Sequence, residues 1–227
     1  MNIQTEQRDT QITTVPSAVL SDREILDQKE QNYIVIEPFN RNYLSNCSYD
    51  VTLGPWYYRR NYNWCSQSIS AYNPWNQDHV KAYWDEPQRA KVLEEDAYGL
   101  KKGTQYIKLA PNELILAHTQ EFIGGRHHIT TMMKSRSSLG RSGISVCRCA
   151  GWGDVDYINR WTMEIHNSLD VPVVLPVGAR VAQIVFMWSG VPERPYTGKY
   201  QTSSNIEELK ASWKPESMLP KLYNDTY

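Results

Sequence analysis

Cysteine is scarce in this sequence, with four residues in a chain of 227. Four cysteines are too few for a disulfide scaffold of this size, so we expect them to be reduced. Cys147 and Cys149 stand two residues apart on a predicted strand and would therefore share one face. Because no third or fourth ligand follows at metal-site spacing, a structural zinc site is not expected.

Long hydrophobic runs and an excess of positive charge are also missing. No apolar run approaches the ~20 residues that span a bilayer, and the start MNIQTEQRDTQ lacks the apolar core of a signal peptide. The 24 basic and 25 acidic residues give a net charge of -1, which disfavours a protein that coats nucleic acid polymers. We therefore expect a soluble, cytoplasmic protein that binds neither membrane nor nucleic acid polymer. A small anionic ligand remains compatible with this composition.

Phenylalanine is rare, whereas tyrosine and tryptophan are abundant, with 3 Phe, 15 Tyr and 8 Trp. Aromatic side chains of this kind suit pleated, half-buried surfaces. Short strand candidates separated by Pro, Gly or Asn turns recur along the chain, which predicts an all-β sandwich or barrel with a few short helices. The predicted strands are 33–36, 48–54, 106–109, 113–119, 129–134, 144–149, 161–167, 171–175 and 179–187.

The pattern divides the chain into three regions. Residues 1–16 are polar and are predicted to form a flexible N-terminal arm. Residues 17–190 are predicted to form one β-barrel domain, because this length suffices for a single core. Residues 191–227, rich in Pro, Tyr and Ser, are predicted to form a tail that closes over the site.

Helices are expected at three places only. Ser21 and Glu24 have the spacing of a capping box at the start of a short helix. A second short helical run is predicted at 206–210. Between residues 55 and 103 the pattern fades, and one helix around 86–95 is the only element predicted there.

The most informative stretch is R-S-S-L-G-R-S-G at 136–143, followed by A-G-W-G-D-V-D-Y at 150–157 and T-M-E-I-H-N at 162–167. Two arginines and three hydroxyls on a Gly-containing turn can bind a polyphosphate, since guanidinium and hydroxyl groups donate hydrogen bonds to phosphate oxygens. The carboxylates that follow can supply metal ligands and a proton acceptor. This order of groups predicts a nucleotide site beside a water-activating carboxylate.

Taken together with other segments, these motifs make the chain similar to the dCTP deaminase family, within the wider superfamily of trimeric dUTPases. The resemblance runs from about residue 19 to residue 201, and the joint order of its segments is specific although each segment alone is weak. The segments are 20–25, 48–54, 136–141, Glu164 with Asn167, 178–183, Pro195 with Tyr196, and 199–201.

The resemblance implies a dUTPase-like distorted β-barrel or jelly roll that assembles as a homotrimer, with active sites shared between neighbouring subunits. In such enzymes the Arg-Ser-Ser-x-x-Arg segment holds the triphosphate and helps to position the reacting water. It implies Glu164 as the general acid/base and Ser137 and Arg141 as further catalytic groups. The residues expected to bind substrate are Arg136, Ser138, Ala150, Trp152, Asp154, Thr162, Tyr196, Lys199 and Gln201.

The expected chemistry agrees with the role of Glu164. Attack of water on C4 of cytosine needs a base for the water and an acid for the leaving nitrogen, and one partly buried carboxylate can do both in sequence. Zinc-dependent nucleobase deaminases instead carry a Pro-Cys-x-x-Cys segment, which this sequence lacks. We therefore expect a zinc-independent dCTP deaminase without a protein metal site.

The Ala-Gly-Trp that precedes Asp154 is similar to bifunctional dCTP deaminase/dUTPases, which convert dCTP to dUMP and diphosphate. In that interpretation Asp154 contacts the deoxyribose and orients a second water, while Mg²⁺ neutralises the phosphates. Gly153 and Asn159 depart from the family pattern. Because Asn tolerates positive φ, the turn around Asn159 can still form, and Asp156 is interpreted as a residue that only shapes this turn.

Three alternatives remain open from the sequence. The chain can be a dUTP diphosphatase without deaminase activity, or a catalytically silent nucleotide-binding regulator, for which Gly153 and Asn159 are the motive. Glu164 can also be the solvent-facing member of an alternating strand, which is the usual place of a strand glutamate. Whether deamination stops at dUTP or continues to dUMP is likewise undecided.

Overall fold

A curled antiparallel sheet of ten strands forms the body of the protein. The computed structural model describes residues 18–66, 71–194 and 196–225, so the predicted arm at 1–16 lies outside the described residues. The main path of the sheet is β10-β8-β13-β3-β7-β11-β9, with β1 paired to β7 and β2 and β4 paired to β3. A smaller sheet has the order β12-β6-β5. The prediction of a mainly β protein with a few short helices is confirmed.

The strands are β1 (Ile34–Glu37), β2 (Leu44–Ser45), β3 (Ser48–Arg59), β4 (Gln88–Arg89), β5 (Lys91–Val92), β6 (Gln105–Leu109), β7 (Leu114–Gly125), β8 (Ile129–Ser135), β9 (Ile144–Ser145), β10 (Trp152–Gly153), β11 (Ile158–Asn167), β12 (Val173–Pro176) and β13 (Arg180–Trp188). The helices are α1 (Asp22–Glu30), α2 (Tyr62–Ser66), α3 (Gln77–Tyr83), α4 (Ser137–Arg141) and α5 (Ile206–Ser212). Three 3-10 turns lie at Arg41–Tyr43, Pro215–Met218 and Leu222–Asn224.

The main core lies inside the curl of the large sheet, and alternation along the strands decides which side chains enter it. In β11 the side chains of Trp161, Met163 and Ile165 are buried in this core, because successive strand residues point to opposite faces. Thr162 and Glu164 therefore point to the other face of the sheet. That face carries the candidate site.

The N-terminal helix begins as predicted. Ser21 Oγ accepts a hydrogen bond from the backbone N–H of Glu24, and Glu24 Oε2 accepts one from the backbone N–H of Ser21 at 2.8 Å. This reciprocal pair satisfies two N–H groups that an uncapped helix end leaves without partners. The helix predicted at 206–210 is also confirmed, as α5.

The prediction of a helix around 86–95 is wrong. Pro87 cannot donate a backbone hydrogen bond, and the residues after it form β4 and β5 by pairing with β3 and β6. The helices described in this region are α2 and α3, and both lie earlier in the chain. The longer one is α3. Its start is marked by Asn76, whose Oδ1 accepts from the N–H groups of Asp78 and His79.

The strand predicted at 144–149 is shorter than expected, because β9 contains only Ile144 and Ser145. Cys147 and Arg148 have φ values of 58° and 30°, and extended backbone needs negative φ. Cys147 is buried and Cys149 is exposed, so the prediction that they share one face is wrong. No helix in the described part of the chain is both long and apolar enough to cross a membrane.

His118 on β7 is completely buried and is held in one tautomer. Its Nδ1–H donates to the carbonyl of Thr119 at 2.7 Å, and its Nε2 accepts from the N–H of Trp56 at 3.3 Å. Burial lowers the pKa of His118 to about 4, so the ring is neutral at neutral pH. The ring fits against Gly54, where a Cβ atom would stand 2.1 Å from its Cε1.

Gly54→Ala is expected to destabilise the protein by about 1–3 kcal/mol, because the buried ring of His118 must move to admit a methyl group. Urea unfolding of the variant and the parent protein measures this difference. Gly140→Ala is the matched control, since nothing lies within 4 Å of a Cβ placed there. Equal stability of the Gly54 variant and the parent would show that the ring is not fixed in this place.

Candidate active site

A cavity of about 430 Å³ lies beside Glu164, between the sheet and the C-terminal tail. Both the sheet and the tail contribute to its wall, and most of the lining is aromatic or aliphatic. Polar groups are few, as in pockets that bind a small molecule and fix its orientation with a few contacts. The lining residues are Trp84, Leu114, Leu116, Ala150, Trp152, Asp154, Tyr157, Trp161, Thr162, Glu164, Tyr196, Tyr200, Met218 and Pro220.

The pairing of β11 with β7 places the carboxylate of Glu164 in this cavity. Glu164 lies directly opposite Leu116, and Thr162 lies opposite His118. Opposite residues of an antiparallel pair point to the same face, so Leu116 forms an apolar surface next to the carboxylate. A register shift between Arg160 and Thr162 precedes this segment, and bulges of this kind redirect side chains beside functional sites.

The carboxylate of Glu164 is poorly solvated and incompletely paired. Its Oε2 is buried and has no hydrogen-bond partner among the described residues. Burial raises the pKa of Glu164 above its ordinary value, although a hydrogen bond from its own backbone N–H and the charge of Arg148 reduce the shift. Such a group can hold and release a proton nearer to neutral pH than an exposed glutamate. The interpretation of Glu164 as a solvent-facing strand residue is therefore wrong.

The loop before β11 brings Ala150, Trp152 and Asp154 to the same cavity. Trp152 is 58 % exposed, and its indole Nε1–H donates to Asp154 Oδ1 at 3.2 Å. Gly153 lies between them because a Cβ at this position would stand 2.4 Å from Thr131 Oγ1 and 2.5 Å from the ring of Trp161. The departure from the family pattern at Gly153 is thus explained by the side chains of Thr131 and Trp161.

The turn that follows is formed by Asp156 rather than by Asn159. Asp156 has a φ of 72°, and its Oδ1 accepts a hydrogen bond from the N–H of His127 at 3.1 Å. The interpretation of Asp156 as a turn-shaping residue agrees with this geometry. Asn159 is instead a buried strand residue, so the expectation that it takes positive φ is wrong.

The C-terminal tail is bound to this turn by side-chain hydrogen bonds. Gln201 Oε1 accepts from the N–H of Ile158 at 2.6 Å, and Gln201 Nε2 donates to the carbonyl of Asp156 at 2.9 Å. Asn159 Nδ2 donates to the carbonyl of Tyr200 at 2.6 Å. Gln201 thus supports the wall of the cavity without lining it.

Two other tail residues, Tyr196 and Lys199, are predicted to bind substrate, but only one of them lines the cavity. Tyr196 lines the cavity, and its ring lies 5.4 Å from that of Tyr157 in an edge-on arrangement. Lys199 pairs with Asp225 through its Nζ and is not part of the cavity lining. Pro195, the neighbour of Tyr196 in the motif, lies outside the described residues.

The Arg-Ser-Ser-Leu-Gly-Arg segment forms the single-turn helix α4 and lies apart from the Glu164 cavity. Ser137, Ser138 and Arg141 are exposed. The Nε of Arg136 lies 3.2 Å from Oδ2 of the buried Asp50. None of these four predicted ligands lines the cavity that contains Glu164 within the described chain.

A metal site made by the protein alone is not found among residues 18–66, 71–194 and 196–225, which contain no group of three or more His, Cys, Asp or Glu side chains arranged to hold an ion. Magnesium in nucleotide sites is commonly held by one or two carboxylates together with substrate phosphates and water. The carboxylate of Asp154 is exposed and lines the cavity, so it is a residue of the type that holds magnesium together with a substrate phosphate.

Sequence reasoning missed half of the cavity wall. Leu114 and Leu116 could have been found from the alternation of β7 once its pairing with β11 was known. Tyr157 and Tyr200 lie within the segments 150–157 and 199–201, but nothing in their local sequence assigned them to the site. Trp84, Met218 and Pro220 come from regions without a periodic pattern, so nothing in their local sequence indicates contact with the site.

Residues 19–189 match the family model described as dCTP deaminase-like. The chain belongs to the dCTP deaminase-like family. The family predicted from the sequence motifs is thereby confirmed.

Two curated relatives of this dCTP deaminase-like chain agree with that assignment. The chain is 29 % identical over 202 residues to dCTP deaminase, dUMP-forming, from Aquifex aeolicus, which covers 85 % of this chain and 99 % of the relative. It is 32 % identical over 168 residues to the enzyme of the same name from a Hydrogenobaculum species, covering 74 % and 81 %.

The crystal structure of the 2'-deoxycytidine 5'-triphosphate deaminase from Agrobacterium tumefaciens superposes with a TM-score of 0.55 at 16 % identity. The match covers 77 % of this chain and 49 % of that protein, so the chain spans about half the length of the solved protein. At this identity the likeness shows the fold alone. The dCTP deaminase-like chain therefore has the barrel architecture expected from its motifs.

Glu164→Gln is expected to stabilise the ligand-free protein at pH 8 by about 1 kcal/mol, since it removes a charge from a buried, unpaired position. Because burial raises the pKa of Glu164 in the folded state, folding favours the protonated carboxyl group. The contribution of this group to stability is fully present below the unfolded-state pKa and is lost as the pH rises through the folded-state pKa. The gain should therefore disappear near pH 4. Thermal unfolding at both pH values measures it, with Glu94→Gln, at an exposed carboxylate, as control. A gain that is the same at both pH values would contradict the raised pKa.

Proposed function

We propose that this protein deaminates dCTP and carries the product on to dUMP and diphosphate. The observation that carries the proposal is the unpaired, buried Oε2 of Glu164 in an apolar cavity, in a chain of the dCTP deaminase-like family. Support for the second step comes from the relatives named as dUMP-forming. It also comes from the Ala-Gly-Trp segment before Asp154.

In the first step Glu164 accepts a proton from the water that attacks C4 of the cytosine. The same proton then passes to the exocyclic nitrogen, which departs as ammonia when its bond to C4 breaks. The second proton of the water moves from O4 to N3, so dCTP and water become dUTP and ammonia. A carboxyl group whose pKa is raised by burial suits this exchange, because each direction of proton transfer is less costly near the working pH. Ala150 and Thr162 line the same cavity, and we assign them to contacts with the cytosine ring of the substrate.

The hydroxyl and guanidinium groups of α4 complete the site in this proposal, with Ser137 and Arg141 orienting the water and Arg136 and Ser138 binding phosphates. Support for a shared site comes from the position of α4, which does not line the Glu164 cavity of its own chain. A homotrimer would bring α4 of one subunit to the cavity of the next. Tyr196 of the tail lines the cavity and is assigned to the substrate. Lys199, paired with Asp225, and Gln201, bound to Ile158 and Asp156, are assigned to holding the tail in place at the site.

In the second step Asp154 contacts the deoxyribose and orients a water toward the α-phosphorus, which releases diphosphate and leaves dUMP. Trp152, whose indole donates to Asp154 Oδ1, holds the carboxylate in a fixed direction. Magnesium bound with the triphosphate would neutralise phosphate charge.

Zinc is not required in this proposal. Ammonia release from dCTP should therefore survive prolonged treatment with the zinc chelator 1,10-phenanthroline.

The alternative of a silent regulator was motivated by Gly153 and Asn159. Both residues have structural roles, since Gly153 accommodates Trp161 and Asn159 binds the tail. The alternative of a dUTP diphosphatase without deaminase activity is separated from the main proposal by product analysis. Among residues 18–66, 71–194 and 196–225, no structural feature favours either alternative over deamination.

The purified protein incubated with dCTP is expected to release ammonia and diphosphate in equal amounts. Glu164→Gln should lower ammonia release by at least about a hundredfold, because general acid/base catalysis contributes about 10²–10⁴, while the Kd for dCTP changes little. Glu94→Gln serves as the matched control. Binding of dCTP without any ammonia from the parent protein would support the regulator, and hydrolysis of dUTP alone would support the diphosphatase.

Asp154→Asn is expected to separate the two steps. Ammonia release from dCTP should persist, whereas diphosphate release should fall and dUTP should accumulate, because only the second water depends on this carboxylate. Asp156→Asn is the matched control two residues away, since Asn tolerates the positive φ found there. Parallel loss of ammonia and diphosphate in the Asp154 variant would rule out a role confined to the second step.

A further inference from the structure

A partition formed by Trp84 and the C-terminal residues divides the Glu164 cavity from a second cavity of about 490 Å³. Trp84 lines both cavities, and no other residue of 18–66, 71–194 and 196–225 does so. The segment 217–221 follows the same boundary, because residues 218 and 220 line the Glu164 cavity whereas residues 217, 219 and 221 line the second one. The indole of Trp84 therefore stands where the two cavities meet.

Trp84 is held in this place by backbone and ring contacts. It caps the end of α3, where its N–H donates to the carbonyl of Val80 at 3.1 Å, and it forms an isolated β-bridge with Arg60, just after β3. Its ring lies edge-on to that of Tyr83, with the centroids 5.2 Å apart. Trp84 is 7 % exposed, and closely packed side chains of this kind resist displacement. The indole is therefore a fixed part of the partition.

The surface that Trp84 contributes to the Glu164 cavity is apolar and adjoins the carboxylate. Trp84, Leu116 and Met218 belong to one buried apolar cluster, and all three line the cavity. Leu116 lies directly opposite Glu164 on the neighbouring strand. We call these three side chains the apolar wall. Polar lining comes from other segments, including the hydroxyl of Thr162 and the carboxylate of Asp154.

Cytosine has only one edge that suits the apolar wall. When Glu164 acts at C4, the ring neighbours of the reacting carbon are N3 on one side and C5 on the other. N3 and O2 are hydrogen-bond acceptors, and burying them against apolar side chains leaves them unpaired at a cost in free energy. C5–H and C6–H carry no such cost and gain from apolar contact. The C5 edge is therefore the edge that faces the wall.

We propose that Trp84 is a specificity-determining residue that contacts the C5 edge of the cytosine and limits the size of the group accepted on C5. The inference rests on the proposed function, since the orientation of the base follows from the action of Glu164 at C4. It narrows the substrate class to deoxycytidine triphosphates with hydrogen or a small group on C5. A longer group meets the fixed indole, and loss of the indole would join the two cavities and admit it.

The first test compares dCTP with 5-propynyl-dCTP, whose rigid substituent points straight away from C5, in the parent protein and in Trp84→Ala. Ammonia release gives kcat/KM for each substrate. The parent should prefer dCTP by at least about a hundredfold, because even one extra methylene in a pocket is worth roughly 10–200-fold. Trp84→Ala should reduce this preference by at least about tenfold. Dividing the preference of the variant by that of the parent cancels the effect of the propynyl group on the reactivity of C4. An unchanged preference would overturn the inference.

Trp213→Ala is the matched control. Trp213 packs against the same apolar cluster but lines neither of the two cavities. Its removal takes the same side chain from the same cluster without opening the partition, so the preference for dCTP should stay at the parent value. An equal relaxation in both variants would mean that general loosening admits the propynyl group, and would also overturn the inference.

The second test uses a milder substitution, because Trp84→Ala removes a large buried side chain and is expected to destabilise the protein. 5-Fluoro-dCTP is bound to Glu164→Gln protein, in which turnover is suppressed, and fluorine NMR records the resonance of the bound nucleotide. Adding Trp84→Phe should move this resonance, because the aromatic ring beside the fluorine atom changes. Adding Trp213→Phe should leave it in place. A resonance that stays the same with Trp84→Phe, or that moves equally in both variants, would reject the contact.

Failure of the inference can be told apart from failure of the proposed function. Release of ammonia from dCTP by the parent protein, together with an unchanged preference in Trp84→Ala, would leave the function standing and reject the role of Trp84. A fluorine resonance that moves only with Trp84→Phe, in a protein whose parent releases no ammonia, would retain the contact with C5 and reject the deaminase.

Discussion

The site depends on the register in which β11 pairs with β7. This pairing places Glu164 opposite Leu116 and Thr162 opposite His118, which gives one face of the sheet a carboxylate beside an apolar surface. A shift by one residue would exchange the two faces of β11 and put Glu164 into the core in place of Met163 or Ile165. The core residues of β11 therefore fix the position of the Glu164 carboxylate, since they cannot leave the interior without a large loss of burial.

The carboxylate, the loop before β11 and the tail form one structural unit. The tail residue Gln201 completes backbone hydrogen bonds of Asp156 and Ile158, and Asn159 in turn binds the carbonyl of Tyr200. The residues that line the cavity from the tail are thus held by the same turn that follows Asp154. A wall made of several separated segments of the chain explains why the carboxylate is sheltered although Glu164 lies on an outer face of the sheet.

Local pattern was enough to predict the class of fold and several elements. The capping box at Ser21 and Glu24, the alternation of 161–167 and the helix at 206–210 are signals carried by neighbouring residues, and the structure agrees with them. The strand at 144–149 was overestimated because the positive φ values of Cys147 and Arg148 leave no mark in composition. The region 55–103 could not be predicted, since Trp84 and α3 are placed by contacts with the distant tail and with β3. The relation between α4 and the Glu164 cavity also depends on three-dimensional placement, which the order of motifs does not contain.

The close fit of Gly153 against Trp161 has a consequence for how this chain can change over time. A side chain at position 153 would overlap the hydroxyl of Thr131 as well as the indole of Trp161, so a larger residue there is tolerated only after both neighbours have given way. The three positions are therefore expected to vary together among descendants of this protein, and a substitution at position 153 alone meets a fitness barrier. Divergence at the base of this loop is historically contingent, and the order in which the replacements occur decides which sequences can be reached.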